Sequence, residues 1–260
     1  EYTIESSTMT INVNGIIDSR IQWDTNKLQT INTLKMNGNL IEIPSDFIQQ
    51  FISLKTVELH TENVLQGMLA KTQIENVIIG KEVKQIEEKA FEQCEKLTSI
   101  QFNQESTLQT IKDSAFKDCI SLKIITLPKS LQNIQFYTVF NGCNQLQTIQ
   151  FEEGSIFEND NGLIYSNNKK TLHYNLNKET ISEYFILPAN IFQIGKKLFE
   201  RTEMKTIALS NDLERIEDGA FQHNDIESII IPKNVKYIGK HTFEMNQHLE
   251  LMIITSKEIE

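Results

Sequence analysis

A motif of about two dozen residues returns along this chain, and no other feature restricts its folding as tightly. Phe91, Phe116 and Phe140 are each followed three residues later by a cysteine, Cys94, Cys119 and Cys143. Phe199, Phe221 and Phe243 mark later copies. An isoleucine precedes each phenylalanine: Ile86, Ile111, Ile134, Ile194, Ile216 and Ile238. Behind comes Leu-x-x-Ile-x-Leu or a close variant, as in Leu122, Ile125 and Leu127, or Ile226, Ile229 and Ile231. Looser copies stand earlier, at Leu54, Val57 and Leu59 and at Ile74, Val77 and Ile79. Eight such strand motifs are readable, and a ninth is expected between residues 172 and 187.

The Ile-x-Leu ending alternates, so both side chains point to one face of a strand. The leucine three residues earlier enters the same core at a corner, and the upstream Ile and Phe line the opposite wall. One such unit cannot bury its own apolar side; stacked copies bury each other's, which gives a solenoid. Pro128, Pro188 and Pro232 close strands, because proline cannot continue a ladder. Glu87–Ala90, Lys112–Ala115 and Glu217–Ala220 are predicted to form a helical or 3-10 turn ahead of the Phe. The chain has 39% hydrophobic and 23% charged residues, which suits a folded protein, and no apolar run long enough for a membrane helix. Its net charge of -10 disfavours nucleic acid and anionic membrane as partners.

The stretch from Ile111 to Pro128, with Phe116, Cys119, Leu122, Ile125 and Leu127 in register, resembles the BspA-like leucine-rich repeat; Ile86–Phe102 and Ile216–Pro232 match nearly as well. The resemblance covers roughly residues 41–260. It implies an α/β leucine-rich repeat solenoid, with a curved parallel β-sheet on the concave face and short helical or 3-10 turns on the convex face. Residues 1–40 depart from the template. Tyr2, Ile4, Met9, Ile11 and Val13 partly alternate, as do Ile21 and Trp23, which predicts a β-rich N-terminal cap. The first true coil can begin at Ile31, Leu34 and Met36. A hairpin insertion is expected at about 157–180, where Asn161-Gly162 is a turn signal and Asn167–Lys170 closes a second turn. Such hairpins often interrupt this repeat type. The chain opens at Glu1 with no basic-then-apolar leader, as after removal of a targeting segment or trimming.

The residues show little that would carry catalysis. The cysteines lack a C-x-x-C pair and the five histidines are scattered, so a zinc site is not expected. Three repeat-equivalent cysteines argue against a single nucleophile. They read as small buried thiols, in a slot that later holds Thr202, Asn224 and Asn246. That mixture suggests a small group bonding to a neighbouring backbone carbonyl. Phosphate-binding glycine motifs, GxSxG and HExxH are absent, and Glu158–Gly162 places its glycine one position early for a calcium loop. Acidic pairs such as Glu87-Glu88 read as surface. No catalytic residue, metal or cofactor is therefore expected.

The candidate site is the outward side of the strands. Its residues are Thr56, Glu58, His60, Ser99, Gln101, Asn103, Thr126, Thr148, Gln150, Glu152, Thr206, Ser228, Ile230, Leu251 and Ile253. The middle coils are polar and the last two apolar, which reads either as a polar groove with a hydrophobic end for a protein partner or as plain strand propensity. The resemblance implies a non-enzymatic binding protein, adhesin-like, at a cell surface or secreted, whose ligand is a host or neighbouring-cell protein. The alternative is an intracellular scaffold or regulatory subunit: the cysteine count is odd and no Asn-x-Ser/Thr sequon occurs. No polar cap follows the last strand motif at Leu249–Ile254, so self-association through the C-terminal end is also open.

Overall fold

The computed structural model describes residues 1–18, 23–44, 46–177, 183–256 and 259. Ile21 and residues 178–180 of the expected insertion lie outside them. The chain divides into two compact units, Glu1–Ser155 and Ile156–Glu260.

In the first unit, strand Tyr2–Glu5 pairs antiparallel with Thr8–Asn12. From there the ladder is parallel, through Thr33–Gly38, Thr56–Thr61, Asn76–Ile79 and Ser99–Phe102. Ile124–Leu127 and Thr148–Phe151 pair in the same sense. The parallel ladder thus already runs inside the segment read as a cap. Two-residue strands form a second wall: Asn63–Val64, Gln85–Ile86, Thr110–Ile111 and Asn133–Ile134. The second unit opens with antiparallel strands Phe157–Asp160, Leu163–Ser166 and Thr171–Asn175. The last of these continues in parallel to Gln193–Ile194, Arg215–Ile216 and Tyr237–Ile238. Tyr184–Ile186, the ninth strand, heads a second parallel sheet with Thr206–Ala208, Ser228–Ile231 and Leu251–Ile254. The architecture is a parallel β-solenoid.

The third wall differs from expectation. The segments Glu87–Ala90, Lys112–Ala115 and Glu217–Ala220 are not helical. Among the described residues, helix is limited to Thr25–Leu28, Phe136–Val139 and the 3-10 turn Ile48–Gln50. Elsewhere the residues two before and two after the core residue are left-handed: Lys89 and Gln93 around Phe91, Ser114 and Asp118 around Phe116, Lys197 and Arg201 around Phe199, Gly219 and His223 around Phe221. This conformation breaks a helix and aims alternate N–H groups at the next coil. Lys89, Phe91 and Gln93 donate to the carbonyls of Asp113, Ala115 and Lys117 at 3.2, 2.8 and 2.8 Å. Ala90, Glu92 and Cys94 instead donate to carbonyls three residues back. A non-glycine residue costs about 1–2 kcal/mol in this region, and the bonds to the next coil offset that cost.

Stacked coils make stacked rings. Phe91 and Phe116 lie 5.1 Å apart at 9°, and Phe116 and Phe140 5.8 Å apart at 8°. In the second unit, Phe199 and Phe221 are 5.6 Å apart at 3°, and Phe221 and Phe243 5.6 Å apart at 12°. Phe91, Phe116, Phe140, Phe199 and Phe221 are fully buried, among the Ile and Leu of the strands. Phe116→Ala removes a ring packed on both faces. It is expected to lower the unfolding free energy by about 3–5 kcal/mol in urea denaturation, and Phe116→Leu by less. An Ala variant within about 1 kcal/mol of the parent would show that the column is not the core.

Candidate functional site

Strand positions alternate between the buried core and the outside, so in-register pairing sets the outward side chains in rows. In the first unit one row is Thr8, Thr33, Thr56, Asn76 and Ser99; the next is Thr10, Lys35, Glu58, Ile78 and Gln101. Thr126 stands beside Gln150 and Ile124 beside Thr148. Neighbours in a row are about 4.8 Å apart. The structure therefore brings Thr56 and Glu58 into the same rows as Ser99 and Gln101. Some of these side chains are already engaged. Glu58 pairs with Lys35 at 2.9 Å, His60 lies 3.6 Å from Glu82, and the Thr126 hydroxyl donates to Gln150 at 3.1 Å. Asn103 and Glu152 lie one residue past their strands and serve turns: their side-chain oxygens accept from the Glu105 and Lys129 N–H groups. In the second unit, Thr206, Ser228 and Leu251 share one outward row, and Ile230 and Ile253 the next.

Sequence reasoning missed the start of these rows. Thr33, Lys35 and Asn37 continue the first-unit face, and Tyr184 and Ile186 that of the second. Leu187-Pro188 signalled the second case, in the manner of Leu127-Pro128 and Ile231-Pro232, but the hairpin replaces the Ile and Phe that normally precede such a strand. A polar recess of about 710 Å³ sits beside the strand ends at His60, Glu62, Lys81 and Lys84. Its charges are paired, Lys84 with Glu62 at 2.9 Å and Lys81 with Glu105 at 3.4 Å.

The cysteine slot is a column of coil-to-coil bonds. The Cys119 thiol donates to the Phe91 carbonyl at 3.2 Å, and Cys143 to Phe116 at 3.0 Å. Cys94 donates to Leu69 at 3.0 Å and contacts the Thr72 hydroxyl. In the second unit an amide does the same work. Asn224 donates to Phe199 at 2.6 Å and Asn246 to Phe221 at 2.9 Å, while the Asn224 oxygen accepts from Thr202. Burial pushes the Cys94 thiol up to about 11. Cys119 is raised too, first by its neighbour Cys143 and then by burial. Such thiols stay protonated and are poor nucleophiles.

A serine–histidine contact is present among the described residues: Ser166 Oγ lies 2.7 Å from His173 Nε2. Ser166 is only 5% exposed, the Phe157 ring edges onto the imidazole, and burial holds His173 down at about 4. The pair links two adjacent strands of the hairpin sheet. Among the described residues, no group of three His, Cys, Asp or Glu could hold a metal, and no helix is long and apolar enough to cross a membrane.

Comparison with known families matches the BspA type Leucine rich repeat region (6 copies) over residues 18–102, 62–186 and 170–260. The chain belongs to this family. Solved structures share the fold. A leucine-rich repeat protein from Eubacterium ventriosum is 18% identical with a TM-score of 0.62, over 96% of this chain and 68% of that one. The pneumococcal vaccine antigen PcpA is 21% identical, TM-score 0.59, over 95% and 62%. A leucine rich cell surface protein from Faecalibacterium prausnitzii is 14% identical, TM-score 0.55, over 98% and 93%. This chain thus spans about two thirds of the first two. No curated protein matches the sequence.

The thiol column has a measurable consequence. The native chain is expected to resist iodoacetamide at about pH 8 and to react at three cysteines once unfolded. The raised folded pKa means that the unfolded chain loses the proton first. Stability from Cys94 is complete below its ordinary value of 9.0 and is lost as pH rises toward about 11. Urea unfolding across that window is expected to show the fall, and Cys94→Ser to reduce it.

Proposed function

We propose that this chain is a non-enzymatic binding module that captures protein partners on the outward strand faces of its repeats, at a cell surface or after secretion. The observation that carries this reading is the zero-shift register. It turns single outward residues of successive coils into rows on a preformed surface, which loses little freedom on binding. The interior is spent on Phe stacks and coil-to-coil bonds, and the thiols are buried, so the faces are what remains for recognition. The named neighbours, a vaccine antigen and a cell surface protein, support placement outside the cell. A few anchors within a face would carry most of the affinity.

A second reading, an intracellular scaffold, draws on the three free cysteines. Their burial weakens it, because thiols that oxidants cannot reach stay reduced in either compartment.

The face of the first unit is tested by pull-down from host and self extracts with a Gln101→Arg, Gln150→Arg double variant. Both side chains are exposed, so folding should be unchanged while capture drops at least about tenfold, the range for a charge set against an unmatched surface. Undiminished capture by the double variant would reject this face. Antibody labelling of intact source cells tests the location, and labelling that requires permeabilised cells would sink the surface reading.

A further inference from the structure

We propose that the strand face of the second unit is the seat of a basic amphipathic helix from a partner protein, laid across the strands with one large apolar side chain over Ala208. The proposal rests on the protein-binding reading above and names the partner's chemistry. Its starting point is a single outward row. Ile186 pairs with Ala208, the register set by Thr206 opposite Ser228 places Ala208 beside Ile230, and Ile230 pairs with Ile253. Ile186, Ile230 and Ile253 are 61%, 58% and 43% exposed, and Ala208 is exposed as well. Strand propensity does not require this row to be apolar. Two residues earlier on the same strands, the adjacent row runs Tyr184, Thr206, Ser228 and Leu251, polar on its two middle strands where the first row keeps Ala208 and Ile230. A contiguous exposed apolar strip on a folded unit marks an interaction surface.

The shape selects the occupant. Four strands at about 4.8 Å make a row roughly 14 Å long, and a helix of about ten residues spans the same length at 1.5 Å per residue. Its 5.4 Å pitch nearly matches the strand spacing, so apolar residues at i, i+3 or i+4, and i+7 fall over successive strands. Ala208 leaves a notch between Ile186 and Ile230, roughly 9.6 Å apart, wide enough for one Leu, Met or aromatic side chain. An added strand would need a free sheet edge. This face offers side chains only, because the strands beneath it already pair with one another.

Charge selects the partner's sign. Just ahead of the outward rows runs a rim of Glu183, Lys205, Glu227 and Glu250, joined coil to coil by the N–H groups of Lys205, Glu227 and Glu250. Glu183 holds Lys205 at 2.7 Å, and Asp225 lies exposed beside Glu227. Carboxylates therefore dominate one rim, while Pro188 and Ser210 on the other are uncharged and Pro232 is buried. A helix with Lys or Arg flanking its apolar stripe on one side complements both rims. A second copy of this chain, itself at net charge -10, would bring acid toward acid.

The test begins with a phage-displayed library of random peptides, about 16 residues long, selected on the full chain; that length allows three to four helical turns. Enriched sequences are expected to carry an i, i+3/i+4, i+7 apolar stripe flanked by Lys or Arg. The most enriched peptide, fluorescently labelled, is then titrated by anisotropy. Ile230→Glu and Ala208→Trp are each expected to weaken it at least about tenfold with unchanged melting, since both positions are exposed. The Gln101→Arg, Gln150→Arg variant should bind normally, and affinity should fall as salt rises. Enrichment of peptides without basic residues, no enrichment, or binding indifferent to Ile230→Glu overturns the proposal. Self-association in sedimentation equilibrium that Ile230→Glu abolishes also overturns it, in favour of a second copy. Peptide binding lost only in the Gln101→Arg, Gln150→Arg variant overturns this seat and leaves the general binding reading standing; loss in neither variant overturns both.

Discussion

Everything in this molecule follows from one coil lying on the next without a shift. The constraint is enforced on three walls at once. The long strands pair in register, the two-residue strands from Asn63–Val64 to Asn133–Ile134 pair in register, and the phenylalanine wall sends alternate N–H groups to the carbonyls of the following coil. A slip of one residue would turn the Ile and Leu of a strand outward. It would also break the face-to-face alignment of Phe116 between Phe91 and Phe140. The slot residue then locks the arrangement, because its thiol or amide reaches the carbonyl of the previous coil. Cysteine serves in the first unit and asparagine in the second; what the site demands is a small donor.

The phenylalanine wall shows how such a fold tolerates unfavourable backbone conformations. Lys89, Gln93, Asp118, Arg201 and His223 occupy the left-handed region that glycine would enter freely, and among the corresponding positions Gly67, Gly142 and Gly219 are glycine. The strain recurs in each coil and is opposed in each coil by hydrogen bonds along the axis. Where the pattern lapses, at Phe136–Val139, an α-helical turn takes its place and Phe136 joins the aromatic stack at 6.5 Å from Phe140. The wall needs its hydrogen bonds satisfied more than it needs one particular turn.

Much of this was readable in advance, for a physical reason. Burial is repetitive, so the positions that face the core repeat: Phe91, Phe116, Phe221, the cysteine slot and the Ile-x-Leu strands all fall where their spacing puts them. The turn conformation was not readable, because Lys, Gln, Ser, Asp and Arg in left-handed positions look like an ordinary polar helix start. The strand Tyr184–Ile186 was half visible, its closing Leu-Pro intact and its leading Ile and Phe replaced by the hairpin. Residues 33–38 belong to the parallel ladder, as Ile31, Leu34 and Met36 suggested, and residues 8–12 join it although their sequence departs from the template, since a strand needs only one apolar face.

The amino-acid sequence alone determined that the chain must stack, with which period, and which side chains point inward, because hydrophobic periodicity is a local property that survives without coordinates. Only the tertiary structure decided which outward residues become neighbours. Ile186, Ala208, Ile230 and Ile253 are separated by some twenty residues each and form one strip through pairing register alone. Register is a contact between coils, so the surface it creates exists only once the coils are stacked.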